Sequence, residues 1–559
     1  MKARYAAMRK IDNENRIWPS AKITVSPEWC AVDLRDGNQA LPNPMTPEQK
    51  MEYFKLLLDI GFKQIEIGFP SASEDDFQFC RDIIEQNLIP EDVTISVLVQ
   101  SRKHLIERTI EALRGAPRAV VHQYIATSEL HMKHVFGMTR EDVMKTAVEG
   151  CSLIKKGVQQ LKKEGSVVGL EFSPEEFSDT DIDFALDVCH AVVEEWNPEE
   201  GEKVILNLPM TVERRLPNEY ADMIEVFMRR NKYPEKTVVS VHVHNDMGCA
   251  VAASTLALMA GAQRVEGTLF GHGERTGNLD LVTIALNLEY LGVNTGLDFS
   301  KLDRITSIVE RVTDMPVHAR QPYSGQLVFT AFSGSHQDAI NKGFSKKNEL
   351  IDTFGGWKIP YLHVDPNSLG RSFEKFIRIN SQSGKGGIAF VMKSSYNIDM
   401  PKWAQIDFAS TVQHYADTQA RELSSEELWD LFEQTYLKPC TLVKLNNYWP
   451  RPDETNPRVI NGELDIDLEG KNLRLKASGN GPISALVSAL RMVPELPDFV
   501  LDDYYEDSTG HSADAQAVCF VKIICGSDIV IGAGVDPNVN QAAVDAVFSA
   551  INRIVTINE

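Results

Sequence analysis

The sequence predicts an α/β fold, a (β/α)8 barrel of the TIM type that is followed by a linker region and a C-terminal α+β domain. Eight short apolar runs alternate with helical patterns between Glu28 and about Glu274. Almost every run ends in polar residues, and the carboxyl ends of barrel strands are where such folds carry their chemistry. The length of 559 residues also exceeds that of one typical domain.

The eight apolar runs correspond to eight parallel strands in chain order. They read WCAVDLRD, QIEIGFP, VTISVLVQ, AVVHQYIATS, VVGLEFSPE, KVILNLPMT, VVSVHVHND and RVEGTLFGHGE. Helical patterns such as TPEQKMEYFKLLLDIGF and ADMIEVFMRRN lie between them. This alternation favours a closed parallel barrel over an open sheet. We therefore assign residues 28–320 to the barrel and residues 1–27 to an N-terminal extension.

The pattern changes twice after the barrel. Residues 321–437 carry polar motifs among short helices, namely GSHQDAINKG, IPYLHVDPNSLGR and SQSGKGG, and we expect a linker region without a second core. Residues 438–559 contain the strand patterns VINGELDIDLEG and NLRLKASG before one helix, and QAVCFVKIICG and DIVIGAGV before another. Two strand-rich units, each closed by a helix, predict a pseudo-symmetric α+β domain of the kind used for regulation.

Composition excludes several classes of function. A formal net charge of -22 opposes non-specific binding to nucleic acid or to anionic membranes, so a nucleotide-bearing ligand needs a local basic site. We find no apolar stretch long enough to span a bilayer and no signal-peptide pattern, and we therefore expect a cytoplasmic protein without a membrane partner. The eight cysteines form no C-x-x-C pair, which is typical of reduced thiols.

Two histidines indicate a metal site. His242 and His244 lie two apart on the seventh strand, so both imidazoles project from the same face. Asp36 after strand one and Asn278 after strand eight are further candidate ligands, because these two strands are adjacent in a closed barrel. Such a set suits a divalent metal and leaves Mg, Mn and Zn open. The alternative is a pair of hydrogen-bonded core histidines.

Polar residues at other strand ends suit acid–base chemistry. Arg35, beside Asp36 in DLRDGNQ, can stabilise an oxyanion next to a metal, although a polar turn with a surface ion pair is the alternative. Glu175 in FSPE can relay protons, and Thr211 in LPMT can bind a substrate carboxylate. A surface carboxylate and a helix N-cap are the alternatives for these two residues.

The motifs DLRDGNQ, FSPE, LPMT, HVHND, GHGERTGN and SQSGKGG occur in this order, and with them the chain resembles the 2-isopropylmalate synthase family, in its longer fungal-type branch. The similarity runs from about Pro19 to the C-terminus. It implies condensation of acetyl-CoA with 3-methyl-2-oxobutanoate and water to give 2-isopropylmalate and CoA, the first committed step of leucine biosynthesis. The implied chemistry is a metal-assisted Claisen-type condensation followed by thioester hydrolysis.

The resemblance also implies roles for individual residues. It makes Arg35 and Glu175 catalytic, lets Glu274 support the site, and brings His336 and Tyr361 from the linker over the acyl-CoA site. It implies four metal ligands, which are Asp36, His242, His244 and Asn278. Besides Glu175, it implies seven residues around the 2-oxo acid, which are Leu98, His122, Tyr124, Ser173, Asn207, Pro209 and Thr211.

The implied partners are small molecules and a second copy of the chain. The resemblance implies a divalent metal, acetyl-CoA as co-substrate and monovalent potassium as an activator. It makes the C-terminal domain a leucine-binding module for feedback inhibition, with GNGP at Gly479–Pro482 and GAGVDPN at Gly532–Asn538 at equivalent turns. A homodimer is implied as well.

Three other functions remain open at this point. A related acyltransferase that makes homocitrate or citramalate would differ only in the 2-oxo acid pocket. A metal-dependent hydrolase is a different class, but amidohydrolase barrels carry H-x-H on the first strand, whereas His242 lies on the seventh. A non-catalytic amino-acid sensor with an inactive barrel is the third. A substrate panel and a metal analysis distinguish them.

Overall fold

A computed structural model describes residues 11–331, 334–371, 385–419, 423–438, 442–509 and 515–558. Residues 1–10 of the predicted N-terminal extension, 381–384 of SQSGKGG and Cys440 lie outside these ranges. The chain forms two compact units. The first comprises Met1–Val328 and Asn367–Arg371, and the second comprises Phe329–Pro366 and Ser372–Glu559.

The first unit contains the predicted barrel of eight parallel strands. Each strand pairs with the next in chain order, and β1 pairs with β8 to close the ring. The strands are β1 (Glu28–Ala31), β2 (Gln64–Gly68), β3 (Thr94–Gln100), β4 (Arg118–Ala126), β5 (Val167–Glu175), β6 (Val204–Met210), β7 (Thr237–Val243) and β8 (Arg264–Gly267). The predicted fold class is confirmed.

Helices cover the outside of the barrel. They are α1 (Pro47–Ile60), α2 (Glu74–Glu85), α3 (Lys103–Ala112), α4 (Arg140–Lys163), α5 (Ile182–Trp196), α6 (Pro217–Arg230), α7 (Ala250–Met259), α8 (Leu281–Tyr290) and α9 (Leu302–Thr313). Local sequence explains their ends. For example, Thr46 and Gln49 cap the first turn of α1 reciprocally, and Gly61 ends this helix in the left-handed conformation.

Strand register brings polar side chains to common levels inside the barrel. His122 on β4 pairs with Glu171 on β5, and His242 on β7 pairs with Glu266 on β8. Alternate residues of a strand point the same way, so His242 and His244 share the inner face. Every residue of β6 and β7 is buried, as expected for parallel strands covered by helices.

The second unit combines helices with two antiparallel sheets. Its helices are α10 (Gly334–Ser345), α11 (Lys347–Phe354), α12 (Lys385–Tyr396), α13 (Lys402–Gln419), α14 (Ser425–Phe432), α15 (Pro482–Leu490) and α16 (Val539–Asn558). One sheet has the order β11-β10-β9, and the other has the order β12-β13-β14. The strands are β9 (Val443–Pro452), β10 (Ile460–Leu468), β11 (Lys471–Gly479), β12 (Val500–Ser508), β13 (Ala517–Cys525) and β14 (Asp528–Asp536).

One strand in each sheet was not predicted from the sequence. Most residues of β9 and β12 are exposed, so the sequences VKLNNYWPRP and VLDDYYEDS show little apolar alternation. The expectation that residues 321–437 lack a core is also wrong. Ile388, Phe408 and Phe432 belong to a buried apolar cluster that includes Phe520 and Ile531 of the second sheet.

Two further expectations concern thiols and membranes. The seven cysteines in the described ranges are free, and five of them are buried. Among the described residues, no helix has the length and apolar character needed to cross a bilayer.

Candidate active site

A cavity of about 190 Å³ opens at the mouth of the barrel. Gln39, Phe69, Glu274 and Arg275 form part of its wall. Most of the predicted site residues form the rest, namely Arg35, Asp36, Leu98, His122, Tyr124, Ser173, Glu175, Asn207, Pro209, Thr211, His242 and His244. The carboxyl ends of several strands thus contribute to one site, as in barrel enzymes generally.

Asp36, His242 and His244 converge in the wall of this cavity. Asp36 Oδ2 lies 3.3 Å from His242 Nε2 and 3.6 Å from His244 Nε2. One ligand atom from each residue lies within 4.8 Å of the other two, and all three residues are buried. One carboxylate oxygen and two imidazole nitrogens suit several divalent ions, so the cluster is consistent with a divalent metal site.

Polar atoms without partners support this interpretation. His244 and Asn278 face each other in an isolated β-bridge, and Asn278 Nδ2 donates to the His272 carbonyl oxygen at 2.9 Å. In the described part of the chain, Asn278 Oδ1, Asp36 Oδ2 and His244 Nδ1 are buried and have no hydrogen-bond partner. Leaving buried polar atoms unpaired is costly. A cation between these residues fits them.

The charges of the cluster are set by its neighbours. Burial opposes ionisation of Asp36, but the Arg35 guanidinium and the His242 imidazole hold its pKa well below the usual range. Burial also opposes protonation of His242, yet Asp36 and Glu266 raise its pKa to about 9. Burial lowers the pKa of His244 to about 4. A metal would therefore meet an ionised carboxylate and a neutral His244, and would displace a proton from His242.

A layer of charged residues lies directly beneath the cluster. His242 Nδ1 hydrogen-bonds Glu266 Oε2 at 2.9 Å, which directs Nε2 towards Asp36. Arg264 forms ion pairs with Glu266 and, at 3.2 Å, with Glu171, and all three side chains are 1% exposed. These residues were not predicted from the sequence. The signal was a charged residue at an inward position of an otherwise apolar strand, as in GLEFS and RVEG.

Arg35 is fixed by two carboxylates. Its Nε and Nη2 each lie 2.8 Å from Glu66 Oε2, and its Nη1 lies 2.9 Å from Asp36 Oδ1. Burial disfavours the charged guanidinium, but Glu66 and Asp36 raise its pKa above the usual range. Arg35 therefore presents a permanent positive charge to the cavity, next to the candidate metal ligands.

Polar side chains of β4 to β6 form a hydrogen-bonded wall. His122 Nδ1 contacts Glu66 Oε1 at 2.8 Å, and its Nε2 contacts Ser173 Oγ at 2.7 Å. Asn207 Nδ2 donates to the same Ser173 Oγ at 3.0 Å. Tyr124 is held separately, since its hydroxyl accepts from Gln100 Nε2 at 2.7 Å. These bonds fix the orientation of the residues predicted to surround the 2-oxo acid.

Thr211 is oriented by Glu176, the residue that follows Glu175 at the end of β5. Glu176 has a φ of 58°, which a non-glycine residue adopts at some cost. Its backbone N–H donates to Thr211 Oγ1 at 2.9 Å, so the threonine hydroxyl can donate its own proton into the cavity. Burial raises the pKa of the adjacent Glu175 carboxyl, which favours a role in proton transfer.

Arg275 connects three loops at the cavity mouth, and sequence analysis did not single it out. Its Nε lies 2.7 Å from Asp246 Oδ1, and its Nη2 donates to the Thr211 carbonyl oxygen at 2.7 Å. Glu274 lies beside it, about half exposed, and accepts from Gln39 Nε2 at 3.3 Å. The position of Thr211 therefore depends on the loops that follow β7 and β8.

His336 and Tyr361 lie together in the second unit. Their rings stack with centroids 3.9 Å apart and planes inclined by 23°. Tyr361 is 64% exposed and has a φ of 62°. Their role at the acyl-CoA site stays a prediction.

A second candidate site lies between α15 and β12. Its cavity has a volume of about 580 Å³, and the GNGP turn contributes to its wall. The lining residues include Asn480, Gly481, Pro482, Ile483, Val487, Arg491, Leu501 and Tyr504. The resemblance implies leucine binding by this C-terminal domain, and a role of the GNGP turn in it stays a prediction.

Three family models match successive parts of the chain. The HMGL-like family model matches residues 26–309, and the model for the alpha-isopropylmalate synthase post-catalytic domain matches residues 326–393. The model for the LeuA allosteric (dimerisation) domain matches residues 422–555. A 2-isopropylmalate synthase of Thermobifida fusca is 46% identical over 98% of this chain and 97% of its own. The chain belongs to the 2-isopropylmalate synthase family.

Two further 2-isopropylmalate synthases match almost the whole chain. A 2-isopropylmalate synthase of Schizosaccharomyces pombe is 46% identical over 98% of this chain and 95% of its own, and one of Clostridium acetobutylicum is 44% identical over 98% and 99%. Family membership confirms the predicted enzyme and its function, 2-isopropylmalate synthesis at the first step of leucine biosynthesis.

Proposed function

We propose that the barrel condenses acetyl-CoA with 3-methyl-2-oxobutanoate and water to give (2S)-2-isopropylmalate and CoA. A bond forms between the acetyl methyl carbon and the ketone carbon, and water then cleaves the thioester. The observation that carries the proposal is the buried cluster of Asp36, His242 and His244 beside Arg35, in a chain 46% identical to 2-isopropylmalate synthases over nearly its whole length.

We assign the metal ligands to Asp36, His242, His244 and Asn278. The unpaired buried atoms of three of these residues support the assignment. A bound divalent ion, Mg, Mn or Zn, would act as a Lewis acid towards the ketone and carboxylate oxygens of the oxo acid. Potassium as an additional activator is part of the proposal by resemblance alone.

Residues around the cavity would bind the oxo acid. The Thr211 hydroxyl, whose oxygen already accepts the Glu176 N–H, would donate to the substrate carboxylate. Leu98 and Pro209 offer apolar surface to the isopropyl group. The remaining proposed binding residues form the polar wall and are His122, Tyr124, Ser173 and Asn207.

Arg35 would stabilise the negative oxygens of the reaction. Its guanidinium is held by Glu66 and Asp36 and lines the cavity, so it can donate to the enolate oxygen of acetyl-CoA and to the alkoxide formed on attack. Donors that are already oriented in a buried site lose little energy to reorganisation during the reaction.

Proton removal from the acetyl methyl group requires a base. We assign this step to His336, acting with Glu175 or through water, with Tyr361 beside the histidine. The support is the resemblance of GSHQDAI and IPYLHVDP to motifs of the family, together with the raised pKa of the Glu175 carboxyl. Turnover of acetyl-CoA that is unchanged in His336→Ala would remove His336 from this role.

We further propose the predicted division of the chain, with a barrel at 28–320, linker subdomains at 321–437 and a leucine-binding regulatory domain at 438–559. Residues 422–555 match a domain described as allosteric and dimerising, which supports leucine inhibition and a homodimer. The fungal-type branch is part of the proposal by resemblance alone. Free cysteines suit the cytoplasm.

Release of free CoA thiol tests the proposed reaction. Purified protein receives acetyl-CoA, a divalent metal and one oxo acid at a time, namely 3-methyl-2-oxobutanoate, pyruvate or 2-oxoglutarate. We expect preference for the first and loss of activity with EDTA. Preference for pyruvate or 2-oxoglutarate would indicate citramalate or homocitrate synthesis, and release that persists in EDTA would contradict the metal-dependent mechanism.

A further inference from the structure

The reaction cavity is too small for the whole of acetyl-CoA. Its volume of about 190 Å³ lies below the range of about 300–1000 Å³ that is usual for drug-sized ligands. It can hold the oxo acid and the acetyl end of the thioester. The pantetheine arm and the nucleotide must therefore lie on another surface that is continuous with it.

A second cavity of about 410 Å³ adjoins the first at the barrel mouth. Tyr124 and Glu175 line both cavities, so the two share a wall that includes a proposed acid–base residue. The second cavity lies between the end of β3, the end of β4 and the loop that leads into α4. Nothing in the mechanism above uses it.

The lining of this adjoining cavity combines apolar side chains, polar side chains and Arg102. Ile125, Val135, Phe136 and Met138 provide apolar surface, and Val135 and Phe136 are 62% and 42% exposed. Large apolar side chains grouped at a protein surface often mark a binding site. Gln100, Ser101 and Thr146 add polar groups that can bond to the amides of an extended chain.

Arg102 supplies the positive charge. It lines the cavity, is exposed, and forms no ion pair within the described part of the chain. Lys103 and His104 follow it, in a protein whose net charge is -22. A local basic group is what an anionic, nucleotide-bearing ligand needs in such a protein.

The loop that forms the outer wall is held in place. His131 Nδ1 lies 2.6 Å from Glu176 Oε2, and Ser128 Oγ also donates to this carboxylate. The Phe136 ring lies 5.9 Å from the His131 ring, centroid to centroid. The loop that walls this cavity is therefore held by the Glu176 carboxylate, and the backbone N–H of the same residue orients Thr211.

We propose that this adjoining cavity binds the pantetheine arm of acetyl-CoA and that Arg102 binds a phosphate of its nucleotide, an inference that rests on the proposed function. The arm runs over Phe136 and Met138 and delivers the acetyl group past Tyr124 to the reaction cavity. Arg102 and Phe136 are then determinants of thioester binding, and the oxo acid does not contact them.

Steady-state kinetics with two thioesters test the proposal. Arg102→Gln should raise the KM for acetyl-CoA about fivefold, and should remove the preference of the wild type for acetyl-CoA over acetylpantetheine, which lacks the nucleotide. Phe136→Ala should raise the KM for both thioesters. The KM for 3-methyl-2-oxobutanoate should stay unchanged in both variants. Lys156→Gln removes an exposed positive charge on α4 outside the cavity and is the matched control.

Calorimetric titration with CoA separates this inference from the proposed function. The wild type should bind CoA more tightly than Arg102→Gln, even if no oxo acid is turned over. An unchanged KM for acetyl-CoA in both variants, or equal CoA binding by wild type and Arg102→Gln, overturns the cavity assignment and leaves the condensation intact. Failure of the oxo acid panel alone overturns the condensation and leaves the CoA site intact.

Discussion

At the scale of single residues, the site is a set of buried charged side chains that hold one another in place through ion pairs and hydrogen bonds. Asp36, His242 and His244 were predictable as neighbours because the strand ends of a closed barrel meet, and the structure brings them together. Glu66 and Glu266 were not predicted. These residues lie within apolar strands, and only the barrel interior reveals that each contacts an arginine and a histidine.

Replacement of Arg35 tests the oxyanion role. Arg35→Ala should lower kcat by about 100-fold or more, because removal of one oriented donor costs that much in comparable sites. Arg35→Lys keeps the positive charge, but a lysine ammonium cannot contact Glu66 and Asp36 in the way the guanidinium does. This variant should therefore recover only part of the lost kcat. Circular dichroism controls for folding. A kcat unchanged in folded Arg35→Ala would exclude the role.

Asp33 predicts a pH dependence of stability. Burial raises the pKa of its carboxyl to about 7, although Tyr53 and the Leu269 N–H donate to it. In the unfolded chain the Asp33 carboxyl has a pKa of about 4. Between pH 4 and 7 this carboxyl is therefore mostly ionised in the unfolded chain but still largely protonated in the folded protein. The free energy of unfolding that Asp33 contributes therefore falls as pH rises through this range.

Asp33→Asn lacks this titration. Its free energy of unfolding relative to the wild type should rise with pH from about 4 to about 7 and then level off. Urea unfolding of both proteins across this range measures the difference. A difference that stays constant with pH would show that Asp33 does not titrate in the folded protein within it.

At the scale of elements, the eight strand–helix units were predictable because apolar runs and amphipathic helices alternate regularly. Loop conformation was not. Between Gly271 and Asn278 the chain folds back so closely that a Cβ on Gly277 would collide with the Gly271 carbonyl oxygen, and Gly277 has a φ of 95°. Such close contacts depend on the folded path of the backbone. In the sequence, the glycine itself is the only feature that indicates them.

Gly277→Ala should therefore displace the loop that positions Asn278. We expect weaker divalent metal binding and a loss of activity of about 10- to 100-fold, as for residues that orient metal ligands. Gly292→Ala is the matched control, because Gly292 also has a positive φ, of 84°, but nothing lies within 4 Å of its Cβ position. Equal effects of the two substitutions on metal titration and turnover would contradict the packing argument.

At the scale of the whole molecule, the order of barrel, linker and C-terminal α+β part follows from changes in sequence periodicity. The helices α12 to α14 form an apolar cluster with the second sheet, which the short polar motifs of residues 321–437 did not indicate. Strands β9 and β12 were missed because most of their residues are exposed, so their sequences carry little apolar pattern.

If leucine inhibits the enzyme by binding in the cavity between α15 and β12, filling this cavity should abolish the inhibition. Ser488 lines it from α15, so Ser488→Trp should fill it and exclude leucine. We expect leucine to raise the melting temperature and lower the turnover of the wild type, and to have little effect on either quantity in the variant. Isoleucine controls for selectivity. Leucine inhibition that persists in folded Ser488→Trp would place the effector elsewhere.

The central claim is that the barrel selects 3-methyl-2-oxobutanoate for condensation with acetyl-CoA. The most direct measurement is product analysis by mass spectrometry after the enzyme receives acetyl-CoA, a divalent metal and equal concentrations of 3-methyl-2-oxobutanoate, pyruvate and 2-oxoglutarate. The account predicts that 2-isopropylmalate is the main product and that it disappears in EDTA. Citramalate or homocitrate as the main product, or no condensation product at all, would contradict it.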